Sequence, residues 1–270
     1  MSSYIHGTDP IEQARLSKLN ELINARCIAL MPVKAGDKIL DVGSGLGQFT
    51  HQLAQLTGPT GACLGIERDQ HQLAVAAHLS KNHPWLEFRL ANAESLELHE
   101  SEWGLFDGAH ARFILEHVQQ PNKIVHSMFR AVRPGGWAVL ADDDHPGLVL
   151  FPEPEGFQSL WRAYMQSYER LGNDPNIGRK LVALLYHEGF RQIRNDVVFF
   201  GDNAGTDTFQ ALAQNLIGII TGAREVMIRE RLIESTDLDA SIHHLQTWSR
   251  LPDAAMWYTI NWAIGFRPAT

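Results

Sequence analysis

Cysteine, long apolar runs and surplus positive charge are all scarce in this chain, and each shortage closes a class of function. Cys27 and Cys63 are the two cysteines. One falls in a helical pattern and the other in a strand pattern, without metal-site spacing, so both read as buried, reduced thiols. No window approaches the roughly 18 uninterrupted apolar residues of a membrane-spanning helix, and the N-terminus lacks a basic segment followed by an apolar run. These features predict a cytoplasmic protein with no stable membrane insertion. The formal net charge of −8 speaks against a general nucleic-acid binder, whose surface would be basic. A small-molecule substrate is the better expectation. Internal repeats and low-complexity tracts are missing too. A content of 44% hydrophobic and 20% charged residues over 270 positions describes a globular chain, long enough for one large α/β domain with or without a helical cap.

What the chain does have is concentrated at residues 38–50, KILDVGSGLGQFT, an apolar strand running into three alternating glycines and then a helix. A strand, loop and helix of this kind bring a ligand against bare backbone at the carboxyl edge of a parallel sheet. Glycine at 43, 45 and 47 removes the Cβ atoms that would block close approach and permits positive φ. Asp41 adds a carboxylate beside the loop, suited to an amino-acid ammonium group and repellent to phosphate. About 20 residues after Gly47 a second apolar run, 62–66, ends in Glu67, where an acid accepts hydrogen bonds from ribose hydroxyls. Together these residues describe a nucleoside site. The glycine spacing is G-x-G-x-G, and Gln48 stands where a dinucleotide fingerprint has its last glycine.

The string ILDVGSGLGQFT, followed by GIERD, resembles the first two motifs of class I S-adenosylmethionine-dependent methyltransferases, the small-molecule type. The resemblance implies a Rossmann-like sheet of seven mostly parallel strands with helices on both faces, a cofactor, S-adenosyl-L-methionine, and a small-molecule acceptor. It implies cofactor contacts at Asp41, Gly43, Ser44, Gly45, Gly47, Glu67 and Arg68. At the third-strand end, 91–94, Asn92 would bond the adenine amine and the Ala93 backbone a ring nitrogen, with Glu94 beside them; an Asx turn is the alternative use of Asn92. The fourth strand, 105–111, runs into ARFILEH, which resembles the family's fourth-strand motif. By that likeness Ala111 touches the cofactor through backbone and Arg112 lines the active site, against the alternative of a salt-bridged structural arginine. The segment YIHGTDPIEQARL resembles a lid that folds over the cofactor, bringing Tyr4, His6 and Arg15 toward ligand; a frayed terminus is the plain alternative.

Elsewhere the signals are structural. Asp9 and Pro10 open a helix running to about Leu30, Asp69 caps a helix expected to reach Leu79, and Pro121 starts another that ends near Val132. The turn RPGG at 133–136 leads into a fifth strand, 137–141. Then come Asp142, Asp143, Asp144 and His145, which fit substrate contact, a divalent metal or a solvated acidic turn. A metal needs partners from elsewhere, and no second acidic cluster is evident, so no residue is assigned to one. His145 and His117 are the candidate general bases, with His117 facing either the pocket or the solvent side that Glu116 is expected to take.

From residue 155 the character changes. Phe157, Leu160, Trp161, Tyr164, Met165, Tyr168 and Leu171 recur at helical spacing, and with a second helix over 177–188 they predict a hairpin overhanging the pocket. Three more helices, 208–221, 223–234 and 238–251, separate a strand over 190–200 from a last strand over 256–264. The chain thus divides into an N-terminal helical lid segment (1–31), a cofactor-binding core (32–150), a helical cap insert (151–189) and the last two strands with an intervening cap insert (190–270). A homodimer interface is the competing use for the apolar helix faces. Two other functional classes stay open. A nicotinamide-dependent oxidoreductase would share the first strand–helix–strand unit, and a non-catalytic cofactor-binding subunit would share the whole site.

Overall fold

The computed structural model describes residues 10–269. The lid contacts expected of Tyr4 and His6, and those of the Arg15 side chain, lie outside the described residues. A helix α1 (Pro10–Ala29) precedes the alternating series β1 (Lys38–Val42), α2 (Gln48–Thr57), β2 (Ala62–Glu67), α3 (Gln70–Ala76) and β3 (Leu86–Leu90). The series continues with β4 (Phe106–Arg112), α4 (Pro121–Ala131) and β5 (Val132–Asp143). Next come β6 (Val149–Phe151), α5 (Phe157–Arg170), α6 (Leu181–Glu188), β7 (Arg191–Phe199) and β8 (Asp202–Asn203). The chain closes with α7 (Asp207–Gly222), α8 (Arg224–Arg229), α9 (Ser235–Trp248), β9 (Ala255–Trp257) and β10 (Thr259–Phe266).

Seven strands form one sheet in the order β3-β2-β1-β4-β5-β10-β7. All run parallel except β10, which is antiparallel to both β5 and β7. Helices cover both faces, so β1 is buried at four successive positions, as expected of a parallel strand with no solvent side. Ile39 joins Phe49, Leu53 and Val139 on the face of α1 and α2, whereas Leu40 and Val42 join Ile124, Met128 and Leu185 on the face of α4 and α6. Local capping follows the sequence. Asp69 Oδ1 accepts the N–H groups of His71 and Gln72 at 2.9 Å to start α3, and Pro121 occupies the first turn of α4, where its missing N–H costs nothing.

A second, three-stranded sheet, β6-β9-β8, joins three connections that leave the main sheet. Nothing in the sequence pattern announces it, because its strands are two or three residues long. It splits the expected last strand in two. β9 belongs to the small sheet, β10 to the large one, and Tyr258 sits at the break, its carbonyl accepting from Phe200 N at 2.8 Å. The expected hairpin over 157–188 also divides. Helix α5 packs against α8 and α9 in the cap, while α6 packs on α4, β7 and β10 as a layer of the main sheet. The residues of the 151–189 insert therefore serve both layers. Helix α3 stops at Ala76 rather than Leu79, its last turn continuing only as short-range bonds from His78 and Leu79. Helix α8 ends at Arg229 because Arg231 takes a positive φ of 56°. Leu232 N then closes back on Met227 O at 2.9 Å, a left-handed C-terminal cap. Strand β5 begins at Val132, so the RPGG residues lie within the strand. Among the described residues no helix is long and apolar enough to cross a membrane.

Candidate active site

The glycine loop joins β1 to α2 at the carboxyl edge of the sheet, and its three glycines do different work. All have positive φ, +77° at Gly43, +54° at Gly45 and +77° at Gly47. A Cβ at Gly43 would lie 2.7 Å from the Ile114 side chain, and one at Gly47 would lie 2.6 Å from Phe88. Those two are glycine because the protein packs against them. At Gly45 the sole atom of the described residues within 4 Å of a Cβ would be Gln72 Oε1, at 3.2 Å. Among the described residues nothing else approaches Gly45, and beside it the buried Ser44 Oγ has no hydrogen-bond partner among them.

Glu67 shapes this loop. Its Oε2 accepts Gly45 N at 2.9 Å, and its Oε1 accepts Arg68 N and Asp69 N at 2.8 Å each. An ionised carboxylate offers about four acceptor positions. Three are taken by backbone, leaving one on Oε2 for a ribose hydroxyl. Burial pushes the Glu67 carboxyl above its ordinary range, and the backbone donors pull it back.

Several other predicted contacts are engaged inside the protein. Asp41, expected to meet an ammonium group, is buried, accepting Thr50 Oγ1 at 2.6 Å and bonding His110 Nδ1 at 2.7 Å. Burial holds the His110 imidazole below its ordinary range despite Asp41, so the ring is neutral and donates from Nδ1. Arg112 points away from the chamber described below. It donates to Asn20 and Asn24 of α1 at 2.8 Å each and lies 4.4 Å from the Phe49 ring centroid. Gln48, in place of the dinucleotide glycine, bonds the same helix through Asn20 and Ser17. These two side chains fasten α1 across the sheet. Asn92 forms the Asx turn, its oxygen accepting Glu94 N at 3.0 Å, and Glu94 in turn accepts Gln120 N at 3.2 Å. Ala93 and Ala111 are buried at their strand ends, and the Arg68 side chain is exposed.

The second half of the site is a recess beyond the ends of β4 and β5, roofed by α5 and α7. Both candidate histidines line it, with Glu116 and Asp143 and the rings of Phe113, Trp161, Tyr164, Tyr168, Phe200 and Tyr258. Glu116, expected on the solvent side, is instead buried between the two histidines: Oε1 lies 3.3 Å from His117 Nε2 and Oε2 lies 3.1 Å from His145 Nε2. On its other side, His145 Nδ1 meets the Tyr258 hydroxyl at 3.1 Å. Trp161 Nε1 donates to the His145 carbonyl at 2.8 Å and sets the backbone.

Of the three successive aspartates only Asp143 lines the chamber. Asp142 is fully buried and accepts Leu115 N at 2.9 Å and Asp143 N at 3.1 Å; burial, then Glu116 and Asp143, raise its carboxyl well above the ordinary range. Asp144 pairs with Arg179 at 2.8 Å. Glu116 is the partner that the sequence did not reveal. Ligand atoms of Glu116, Asp143 and His145 lie within 4.8 Å of one another, close enough to share one cation. Gly178 lets the following segment approach, since a Cβ there would lie 2.7 Å from Asp143 O.

Burial lowers the His145 imidazole below its ordinary range, with Asp143 and Asp144 opposing, and raises the Tyr258 phenol well above its own, with Asp143 and Glu116 adding to the effect. The group thus comprises a neutral imidazole and a neutral phenol. Facing the Glu116 carboxylate, Nε2 carries the proton and Nδ1 accepts from Tyr258. The Tyr258 hydroxyl also bonds Asp143. Its single proton serves one partner at a time, which couples imidazole to carboxylate. Phe113, at the end of the β4 ladder, is held at a positive φ of 54°, a costly conformation for an aromatic residue. It turns the chain between the glycine loop, where Ile114 packs on Gly43, and the chamber.

A glycine loop backed by an acidic strand end, with an aromatic recess beyond the neighbouring strands of a seven-stranded sheet, fits the Rossmann-like fold of class I methyltransferases. The family model for the methyltransferase domain matches residues 33–170, just over half of the chain; the chain belongs to that family. Among curated relatives, the demethylmenaquinone methyltransferase of Staphylococcus carnosus is 27% identical over 162 residues, 57% of this chain and 65% of that protein. The arsenite methyltransferase of Aquipseudomonas alcaligenes is 29% identical over 182 residues, 60% and 53% of the two chains. The chain therefore spans between about half and two thirds of these relatives. In structure it resembles Haemonchus contortus phosphoethanolamine N-methyltransferase 2, solved with phosphomonomethylethanolamine and S-adenosylhomocysteine, at a TM-score of 0.52 and 17% identity over 94% of this chain and 52% of that one.

Proposed function

We propose that the protein transfers a methyl group from S-adenosyl-L-methionine to a small organic acceptor held in the aromatic chamber. The observation that carries this reading is the junction at 113–117: one short segment packs against the glycine loop through Ile114 and lines the chamber through Phe113, Glu116 and His117. The cofactor fits the residues present. Among the described residues the space facing Gly45 is open and Ser44 Oγ has no partner, and Glu67 Oε2 keeps an acceptor position, so these three would hold the nucleoside, with Asn92 and Ala93 at the next strand end. When bound, S-adenosyl-L-methionine supplies a methyl group already activated on sulfonium.

The chain's own residues then have two tasks. The chamber walls exclude water and orient the acceptor, and positioning of this kind contributes roughly 7–11 kcal/mol. His145, neutral through burial, accepts a proton at Nδ1 when Tyr258 turns its own proton to Asp143, while Nε2–H stays on Glu116. Such a base contributes about a hundred- to ten-thousandfold for an acceptor that must lose a proton. His117, joined to the same Glu116, supports it. Acceptor selection resides in the helices of 151–189 and 190–270 that roof the chamber. The acidic net charge and two free, buried cysteines support a cytoplasmic protein acting on small molecules. Calorimetric titration with S-adenosylmethionine, S-adenosylhomocysteine and nicotinamide dinucleotides tests the reading. We expect micromolar binding of the first two alone; a response only to a nicotinamide cofactor would overturn it.

A further inference from the structure

Strand β7 closes one side of the main sheet, and among the described residues no strand pairs with its outer edge. It is nine residues long, and nearly all of it is exposed. In an antiparallel pair the backbone groups of alternate residues turn toward the neighbouring strand. Arg194, Asp196 and Val198 turn theirs to β10, and Asn195 and Val197 turn theirs outward. The Val197 N–H is accordingly taken by a side chain, Asp196 Oδ1 at 2.8 Å, and the Phe199 carbonyl by Arg26 at 2.6 Å. A long strand edge with unpaired backbone is a template for a further strand, and proteins ordinarily blunt it. In β7 the blunting is confined to the two ends. At the start, the register with β10 slips between Ile264 and Phe266, and Gln192 takes a positive φ of 49°. At the finish, Arg26 covers the Phe199 carbonyl. Residues 193–197 remain between them, with Asn195 at the centre and an exposed arginine and an exposed aspartate one residue to either side.

From these observations we infer that a second copy of the chain docks on this edge, the two β7 strands pairing antiparallel about a two-fold axis at Asn195 to form one continuous sheet. The axis sets each residue opposite the one equally far from Asn195. Arg194 then faces Asp196 of the second copy, and Asp196 faces the second copy's Arg194. Because residues 194 and 196 turn their backbone to β10, they form the closely spaced, non-hydrogen-bonded pair of the new ladder, where opposite charges strengthen the pairing. Asn195 exchanges backbone bonds with its counterpart. The Val197 N–H passes to the facing strand, which releases the Asp196 carboxylate for arginine. On the other face of the sheet Val197, 52% exposed, comes opposite Ile193 of the second copy, an apolar pair. Tyr186 of α6, 58% exposed and 5.2 Å from the Arg191 guanidinium at the start of β7, widens the apolar border of the contact. The charges also fix the register. A slip that centres the axis on residue 194 or 196 sets arginine against arginine or aspartate against aspartate, which opposes pairing. A sequence complementary to its own reverse specifies a second copy of itself, and a two-fold contact closes at the dimer.

Sedimentation equilibrium of the whole protein at about 1–100 μM tests the inference. The wild type is expected as a dimer of twice the chain mass. Arg194→Asp and Asp196→Arg each turn both cross-strand pairs into like charges, and each should raise the dissociation constant at least about tenfold. Mixing the two variants in equal amounts makes both pairs opposite again, so the mixture should form a dimer with one copy of each. The double variant carrying both changes should dimerise as the wild type does. Circular dichroism and thermal melts check that every variant is folded, and recovery on mixing is an outcome that misfolded chains would not give. A wild type that stays monomeric at about 100 μM would overturn the inference. So would a dimer indifferent to the charge reversals, two variants that remain apart when mixed, or an assembly larger than a dimer.

Discussion

Replacing Gly45 and Gly47 separately by alanine should separate binding from stability within a single loop. Both residues have positive φ, and an L-residue in that region costs about 1–2 kcal/mol. At Gly45 that is nearly the whole cost to the folded protein. The new methyl group would lie 3.2 Å from Gln72 Oε1, the free end of a side chain that can withdraw. At Gly47 the methyl would lie 2.6 Å from Phe88 and 2.8 Å from the Ala76 Cβ. Overpacking of that kind adds about 1–3 kcal/mol, for a total of roughly 2–5 kcal/mol. At about 3 °C of melting temperature per kcal/mol in a domain of this size, Gly45→Ala should lower Tm by about 3–6 °C and Gly47→Ala by about 6–15 °C. Binding should rank the other way. The Gly45 methyl enters the open space of the loop and should weaken S-adenosylhomocysteine at least tenfold, about 1.4 kcal/mol. Gly47→Ala, measured well below its melting point, should bind within about threefold of wild type. Thermal melts with and without the ligand read both quantities, since a ligand that binds only the folded state raises Tm. Wild-type affinity in Gly45→Ala, or equal destabilisation by the two variants, would refute the division of labour assigned to these glycines.

Two further perturbations test the supports of the site. The buried His110 imidazole is held below its ordinary range of about 6.5, so an unfolded chain takes up its proton before the folded one does. Stability should therefore fall as pH drops below about 6.5, and His110→Gln should flatten that slope in urea titrations between pH 5 and 7, at a cost of about 1–3 kcal/mol at pH 7 for the lost Asp41 bond; an unchanged slope would exclude His110 as its source. Arg112→Lys removes the fork across Asn20 and Asn24 and the contact over Phe49. Amide hydrogens of α1 should then exchange faster by about tenfold while those of β1 and β4 keep their protection, and uniform loss of protection throughout the sheet would contradict a local fastening role.

Legibility in the sequence followed the range of the interaction. Strand β1, the glycine loop, β2 with Glu67 and the Asp69 cap are contiguous patterns, and each lies where residues 38–70 indicated. The direction of a side chain was not legible in the same way. Arg112 stands at a strand end that the resemblance led us to expect at the site, and its side chain reaches the α1 face, where Asn20 and Asn24 wait some ninety positions earlier in the chain. Glu116 looked like a surface residue because a glutamate is ordinarily exposed; two histidines from different turns enclose it. Tyr258 gave no signal, since a one-residue break between β9 and β10 leaves no trace in an alternating apolar pattern.

By itself the sequence determined the sheet, the cofactor loop and the family to which the chain belongs, because these depend on hydrophobic period, glycine placement and a strand-end acid within a few residues of one another. The tertiary structure alone decided the chamber. Its carboxylates come from the ends of β4 and β5, its rings from α5, Phe200 and Tyr258, and its roof from α7. No local propensity places such residues together. They meet because the parallel sheet delivers its strand ends to one edge and the short β6-β9-β8 sheet draws the cap helices over that edge.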